Sequence, residues 1–144
     1  MTYDIGRPTI TRPDGKTIDG PLLNLMLMQV VLRRWSWVLD KYAAMTLFTI
    51  VDRTAGWNRT VIKTTVDELI TTQIVPGGPR EPMPGLSRRT TFRSLSKLRE
   101  MNLIQTKRLQ SGLIIRPNFR YMMAPWPSPR IPPPADEFPF EDEL

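Results

Sequence analysis

The sequence predicts a mainly α fold with a small β component, extended by an extra N-terminal helix and a disordered C-terminal tail. Three observations carry that expectation. The stretch Gly85–Ile104, G-L-S-R-R-T-T-F-R-S-L-S-K-L-R-E-M-N-L-I, places Phe92, Leu95, Leu98 and Met101 at steps of three behind Ser87, the spacing of one helix face after a good N-cap. Leu22–Leu32 is apolar nearly all round and follows Pro21, a residue suited to a first helical turn. Finally, Gln110-Ser111-Gly112 separates two short runs with inward-compatible Ile104, Thr106, Leu113 and Ile115, which reads as a β-hairpin.

Composition narrows the function. The 144 residues fit one domain with appendages. Residues 1–123 carry 19 basic and 9 acidic side chains, whereas residues 124–144 carry one Arg and five acids. A body that basic points to a polyanion. The absence of Cys and His excludes disulfides, thiolate metal sites, the usual zinc ligands and the serine or cysteine triads. Asp40, Asp52, Asp67 and Glu68 are the notable acids of the body, and none pair at metal-site spacing. No enzyme, no cofactor and no metal are therefore expected. No apolar run reaches the roughly 20 residues of a membrane span, and Met1–Arg12 lacks the apolar core of a signal peptide. A cytoplasmic, nucleoid-associated protein with no membrane contact is the expectation.

In chain order, residues 1–20 read as a flexible arm with a turn at Pro13-Asp14-Gly15. Arg7, Arg12 and Lys16 make it either a DNA-reaching arm or a solvated one. Residues 21–35 form an apolar helix, either buried or presenting a second face to another copy of the chain. A second helix is expected over about Ser36–Ala55, with Trp37, Ala44, Leu47, Phe48 and Val51 inward, Gly56 as its C-cap and Trp57 packing back. Val61-Ile62-Lys63 is a short strand, and Thr65 with Glu68 forms a capping box opening a helix over Val66–Thr72. Val75–Gly85, with four prolines and three glycines, is expected to be a loop that no ladder can use. From Ala124 the prolines favour an extended, disordered tail, whose aromatic and acidic end (Phe138, Phe140, Glu141–Leu144) either folds onto a replication or transcription protein or only solubilises.

Helix, short strand, short helix, loop, basic helix and hairpin, in that order over residues 36–123, is the order of a winged helix-turn-helix. In that arrangement the helix 87–101 enters the major groove of double-stranded DNA and the wing 103–117 lies on the flanking backbone. Arg88, Arg89 and Arg93 are suited to guanine edges, and Ser87, Thr90 and Thr91 to a base or phosphate. Lys97, Lys107 and Arg108 are expected phosphate contacts. Positive charge in a first helical turn opposes the helix dipole, a cost that a bound phosphate backbone would offset.

Leu47–Asn58 (L-F-T-I-V-D-R-T-A-G-W-N) followed by Leu86-Ser87-Arg88-Arg89-Thr90 resembles the N-terminal domain of phage replication-initiator O proteins and related replisome organisers, over about residues 36–118. The resemblance implies a winged-helix DNA-binding domain of phage, plasmid or mobile-element origin, a replication initiator or a transcriptional regulator. It also implies that Ser87, Arg88, Arg89, Thr90, Thr91 and Arg93 face the groove, with Phe92, Leu95, Leu98, Trp37, Leu47, Phe48 and Val51 in the core. A regulator would need a homodimer, supplied by 21–35. The alternative is a protein-interaction module whose scaffold no longer meets DNA.

Overall fold

The structure is a computed structural model that describes residues 7–73, 75–83, 85–135 and 138. The expected irregular arm is instead a hairpin, β1 (Thr9–Thr11) paired antiparallel with β2 (Thr17–Asp19). The turn between them falls where Pro13-Asp14-Gly15 placed it, closed by the Arg12 amide on the Lys16 carbonyl at 2.8 Å. Ile18 is buried and ties the hairpin to α1 (Gly20–Arg33), which begins with Pro21 in its first turn. Residues Met1–Gly6 of the expected arm lie outside the described residues.

The second helix starts later than the sequence suggests. Trp35–Trp37 forms a 3-10 turn, and α2 runs from Lys41 to Thr54 behind Asp40. The Asp40 carboxylate accepts from the amides of Tyr42 and Ala43 at 3.0 and 2.9 Å, two of the donors a helix start leaves unpaired. A further 3-10 turn, Ala55–Trp57, ends at Asn58 in the left-handed region. Asn58 therefore reverses the chain, not Gly56, and Trp57 is exposed. Gly56 is set by close approach: a Cβ there would lie 3.2 Å from the Asp52 carboxylate and 3.5 Å from Asn24 of α1.

β3 (Ile62–Thr64), α3 (Val66–Leu69) and α4 (Arg88–Glu100) follow. The Thr65 hydroxyl caps α3 by accepting from the Glu68 amide at 3.1 Å. The Pro/Gly segment does enter a ladder: β4 (Thr71–Gln73) pairs with β5 (Arg80–Pro82). Pro82 sits at the end of its strand, on a two-stranded edge where a missing N–H is tolerated. Arg80 closes this hairpin, donating to Thr71 Oγ1 at 2.8 Å and to the carbonyls of Glu68 and Thr71 at 2.9 Å. Buried Arg53 of α2 donates to the same two carbonyls. Burial, and then the nearby Arg80, pull the Arg53 pKa down, while Asp52 and Glu68 pull it up.

β6 (Ile104–Leu109) and β7 (Gly112–Pro117) form the expected hairpin, and β3 joins on the β7 side to give a three-stranded sheet in the order β3-β7-β6. α5 (Phe119–Met123) follows. α1 and α4 both pack on α2, and the core runs from Leu23, Leu27 and Val31 through Leu47, Ile50 and Val51 to Leu95, Leu98, Ile104 and Ile115. The expectation of a mainly α winged helix-turn-helix is overturned. The described residues include seven strands in three small sheets beside five α-helices, with 23% strand against 44% helix, a mixed α/β fold. Five of those strands, β1 to β5, have three residues each, too few for a period-two pattern to register in the sequence, and of these only β3 was expected, from its β-branched residues.

Gly112 holds the sheet together by having no side chain. Its φ is 147°, and a Cβ would stand 2.6 Å from the Thr64 backbone carbonyl. Gly112→Ala must shift β3 from β7 or distort the turn, so a loss of about 3 kcal/mol is expected. Urea denaturation checks it; a midpoint within error of the parent would show that the β3–β7 pairing is looser than described.

The expected disordered tail is also corrected for its described part. Arg34 donates to the Ala124 carbonyl at 3.0 Å, and Tyr121 Oη donates to the Pro133 carbonyl at 2.6 Å. Trp126 meets Trp35 edge-on with centroids 5.1 Å apart. The prolines reduce the entropy lost on docking, so a segment without regular pairing still packs. Phe140 and Glu141–Leu144 lie outside the described residues.

Candidate nucleic-acid interface

Ser87 caps α4 reciprocally: its hydroxyl accepts from the Thr90 amide at 3.2 Å, and Thr90 Oγ1 accepts from the Ser87 amide at 2.9 Å. Both hydroxyls are thereby engaged in starting the helix. The buried face of α4 is Thr91, Ser94, Leu95 and Leu98. Thr91 is 1% exposed, so it belongs to the core face and not to the groove-facing set predicted from sequence. Phe92, expected in the core, is 44% exposed. Its ring lies 5.8 Å below the Arg88 guanidinium.

The predicted basic residues fall into two groups. Arg88 pairs with Asp67 of α3, so its guanidinium is partly committed to holding two helices together. Arg89, Arg93 and Lys97 are exposed at steps of four, one per turn on one side of the helix. Among the described residues the two ion pairs are Arg12–Asp14 and Arg88–Asp67; none of these three cations enters either. Asp40 shares with Tyr42, Thr90, Arg93, Ser94 and Lys97 a small cleft of about 240 Å³. Its carboxylate is already the cap of α2. Glu100 closes the helix below.

The hairpin separates its two predicted phosphate contacts. Lys107 is opposite Ile114 and Arg108 is opposite Leu113, and consecutive strand residues face opposite sides of a sheet. Thr106, on the Arg108 side, receives a hydrogen bond from Arg99 of α4 at 2.9 Å; that face meets the helix. Lys107 therefore shares the far face with Lys63, opposite Ile114, and with Arg116, opposite Gln105. Arg108 alone extends the α4 side, and it is exposed. Lys63 was missed because a lone Lys in a three-residue strand gives no sign of which sheet face it joins. The Arg116 guanidinium stacks on Phe138, 3.9 Å from the ring centroid.

No group of His, Cys, Asp and Glu able to hold a metal occurs among the described residues. No helix among them is long and apolar enough to cross a membrane.

A second surface lies on α1. Leu22, Leu25 and Leu32 are each more than half exposed and, with Gln29, follow the alternating three- and four-residue steps of a helix-pairing seam. Beyond Leu32 the seam opens into an apolar cleft of about 290 Å³ whose lining includes Val31, Ala44, Met45, Phe48 and Met83. No protein-family model, curated protein or solved structure matches the chain.

Proposed function

We propose that this chain binds double-stranded DNA sequence-specifically, with α4 in the major groove and the β6–β7 hairpin against the flanking backbone, as a replication initiator or transcriptional regulator of a phage, plasmid or mobile element. The observation that carries the reading is the stripe Arg89, Arg93 and Lys97, exposed and without an ion pair among the described residues. Three cations stacked over two turns, beside an Asp40 carboxylate already engaged as the cap of α2, raise one another's energy, and a phosphodiester backbone relieves that repulsion while releasing its own counterions. An α-helix fits the width of the major groove, and Arg89 and Arg93 on its outward side carry the fork geometry that matches guanine. Arg108 extends the same side toward the next phosphates. The residues Ser87 and Thr90 act by fixing the helix start.

The seam on α1 supports a homodimer. A two-fold contact is self-complementary, and Leu22, Leu25 and Leu32 of one copy match the same residues of another helix. The dimer would present two copies of α4 to two half-sites.

Selection of bound sequences from random duplex DNA tests both parts. A palindromic motif is expected, together with a sedimenting species of twice the 16.6 kDa chain mass. Leu25→Glu with Leu32→Glu is expected to give a folded monomer that binds a single half-site at least tenfold more weakly than the dimer binds the palindrome. Recovery of tandem direct repeats would favour an origin-binding initiator over a dimeric regulator. No enrichment at any salt would favour the protein-interaction module.

A further inference from the structure

At the junction of α1 with the 3-10 turn, the chain from Ala124 to Ile131 folds back and encloses an open cleft of about 560 Å³. Arg33, Arg34 and Arg130 line it together with Trp37 and Trp126, and among the described residues no Asp or Glu does. Arg34 is held in place by the Ala124 carbonyl, and Arg33 is exposed at the end of its helix. The volume lies within the usual range for small-ligand sites, roughly 300–1,000 Å³.

Two features distinguish the cleft. Trp37 remains 58% exposed even with the Arg130 guanidinium lying 3.8 Å from its ring centroid. Arg130 itself has φ 66°, in a turn closed by the Ile131 amide on the Ser128 carbonyl at 3.2 Å. With Pro129 before it, this is the third position of a turn that ordinarily takes glycine. A non-glycine residue held at positive φ is strained, and such strain collects at binding sites. Here the strained backbone is what carries the guanidinium onto the indole.

We propose that this cleft binds a nucleotide unit of single-stranded nucleic acid, its base stacked on the open part of Trp37 and its phosphates held by Arg33, Arg34 and Arg130. An acidic peptide would satisfy the guanidiniums but leave the indole to water. A duplex would bring phosphates but keep its bases stacked on one another. An unpaired nucleotide meets both the aromatic and the cationic half of the lining. The cleft is built from α1, the 3-10 turn and residues 124–131, and α4 contributes nothing to it. The site is thus independent of the duplex-binding stripe, and a strand separated near a bound duplex is a ligand both could hold.

The test is fluorescence anisotropy of a labelled twelve-residue oligothymidylate with the full chain, together with quenching of tryptophan emission. Arg130→Gly relieves the backbone while removing the guanidinium, so its thermal midpoint is expected to match or exceed the parent's while oligothymidylate affinity falls about tenfold. Trp37→Ala is expected to cost about tenfold as well, the equivalent of one stacked base, and to abolish most of the quenching. Arg89→Ala with Arg93→Ala is expected to leave single-strand binding unchanged, which separates this site from the proposed duplex reading whichever way that reading falls. Parental affinity in both cleft variants would overturn the proposal, as would absence of oligothymidylate binding by the parent. Displacement of the oligomer by poly-glutamate, or by thymidine triphosphate with no gain from chain length, would overturn it in favour of a peptide or a free nucleotide.

Discussion

Arg89→Ala combined with Arg93→Ala is expected to weaken specific duplex binding by about a hundredfold or more. Each arginine that reads a guanine contributes ~1–3 kcal/mol of discrimination, and the two sit one turn apart on the same side of α4, so under the proposed duplex reading both would meet one stretch of groove. The slope of log affinity against log salt should also flatten by about one for each phosphate that the variant no longer neutralises. Arg88→Ala is the internal control. Its guanidinium is shared with Asp67, both groups being well exposed, and an exposed pair contributes only ~0–1 kcal/mol to stability. A smaller loss of DNA affinity than for the double variant is expected. Anisotropy with the selected duplex between low and physiological salt measures all three. Parental affinity in a folded double variant would remove α4 from the interface.

Trp35→Ala is expected to destabilise the chain by about 3–5 kcal/mol, the cost of removing a large core aromatic. Trp35 is fully buried, and its indole N–H donates to the Met122 carbonyl at 3.1 Å. Its ring meets Tyr121 at 5.3 Å and Trp126 at 5.1 Å. One side chain thus joins the end of α1, α5 and the returning segment after Ala124. Its loss opens a cavity and strands a carbonyl together. Trp37→Ala, two residues on, should change stability by less than about 1 kcal/mol, because most of that ring is already in water. Denaturant titration of the two variants side by side checks the placement of the 3-10 turn. Equal losses would mean that the turn is rotated from the one described.

The limits of the sequence are clearest at these two tryptophans. Helical spacing puts Trp37 inward with Leu47 and Val51, but the chain between Trp35 and Asp40 is not α-helical, and the 3-10 turn exchanges which tryptophan points in. The same failure occurs at Phe92. Steps of three drift around a helix of 3.6 residues per turn, and the buried face of α4 settles on Thr91, Leu95 and Leu98 instead. Side chains that only needed their neighbours were legible. Ser87 as cap of α4, Pro21 at the start of α1, the turn at Pro13-Asp14-Gly15 and the 104–117 hairpin are local events governed by backbone hydrogen bonding and dihedral preference. The charge of the body and the absence of Cys and His were legible for the same reason, being properties of composition.

What tertiary structure alone decided was partnership. Arg88, Arg89 and Arg93 are alike in the sequence, but only Arg88 meets Asp67, a residue 21 positions earlier. Lys107 and Arg108 are adjacent, yet the pleat sends them to opposite faces. The two small hairpins form because Arg80 reaches back to the carbonyls of Glu68 and Thr71 and because Ile18 has α1 to pack on, contacts set by the fold. The sequence by itself determined where the positive charge resides and where the chain turns. Folding decided which of those charges are paired within the protein and which stay exposed, because an ion pair depends on separation in space and not along the chain.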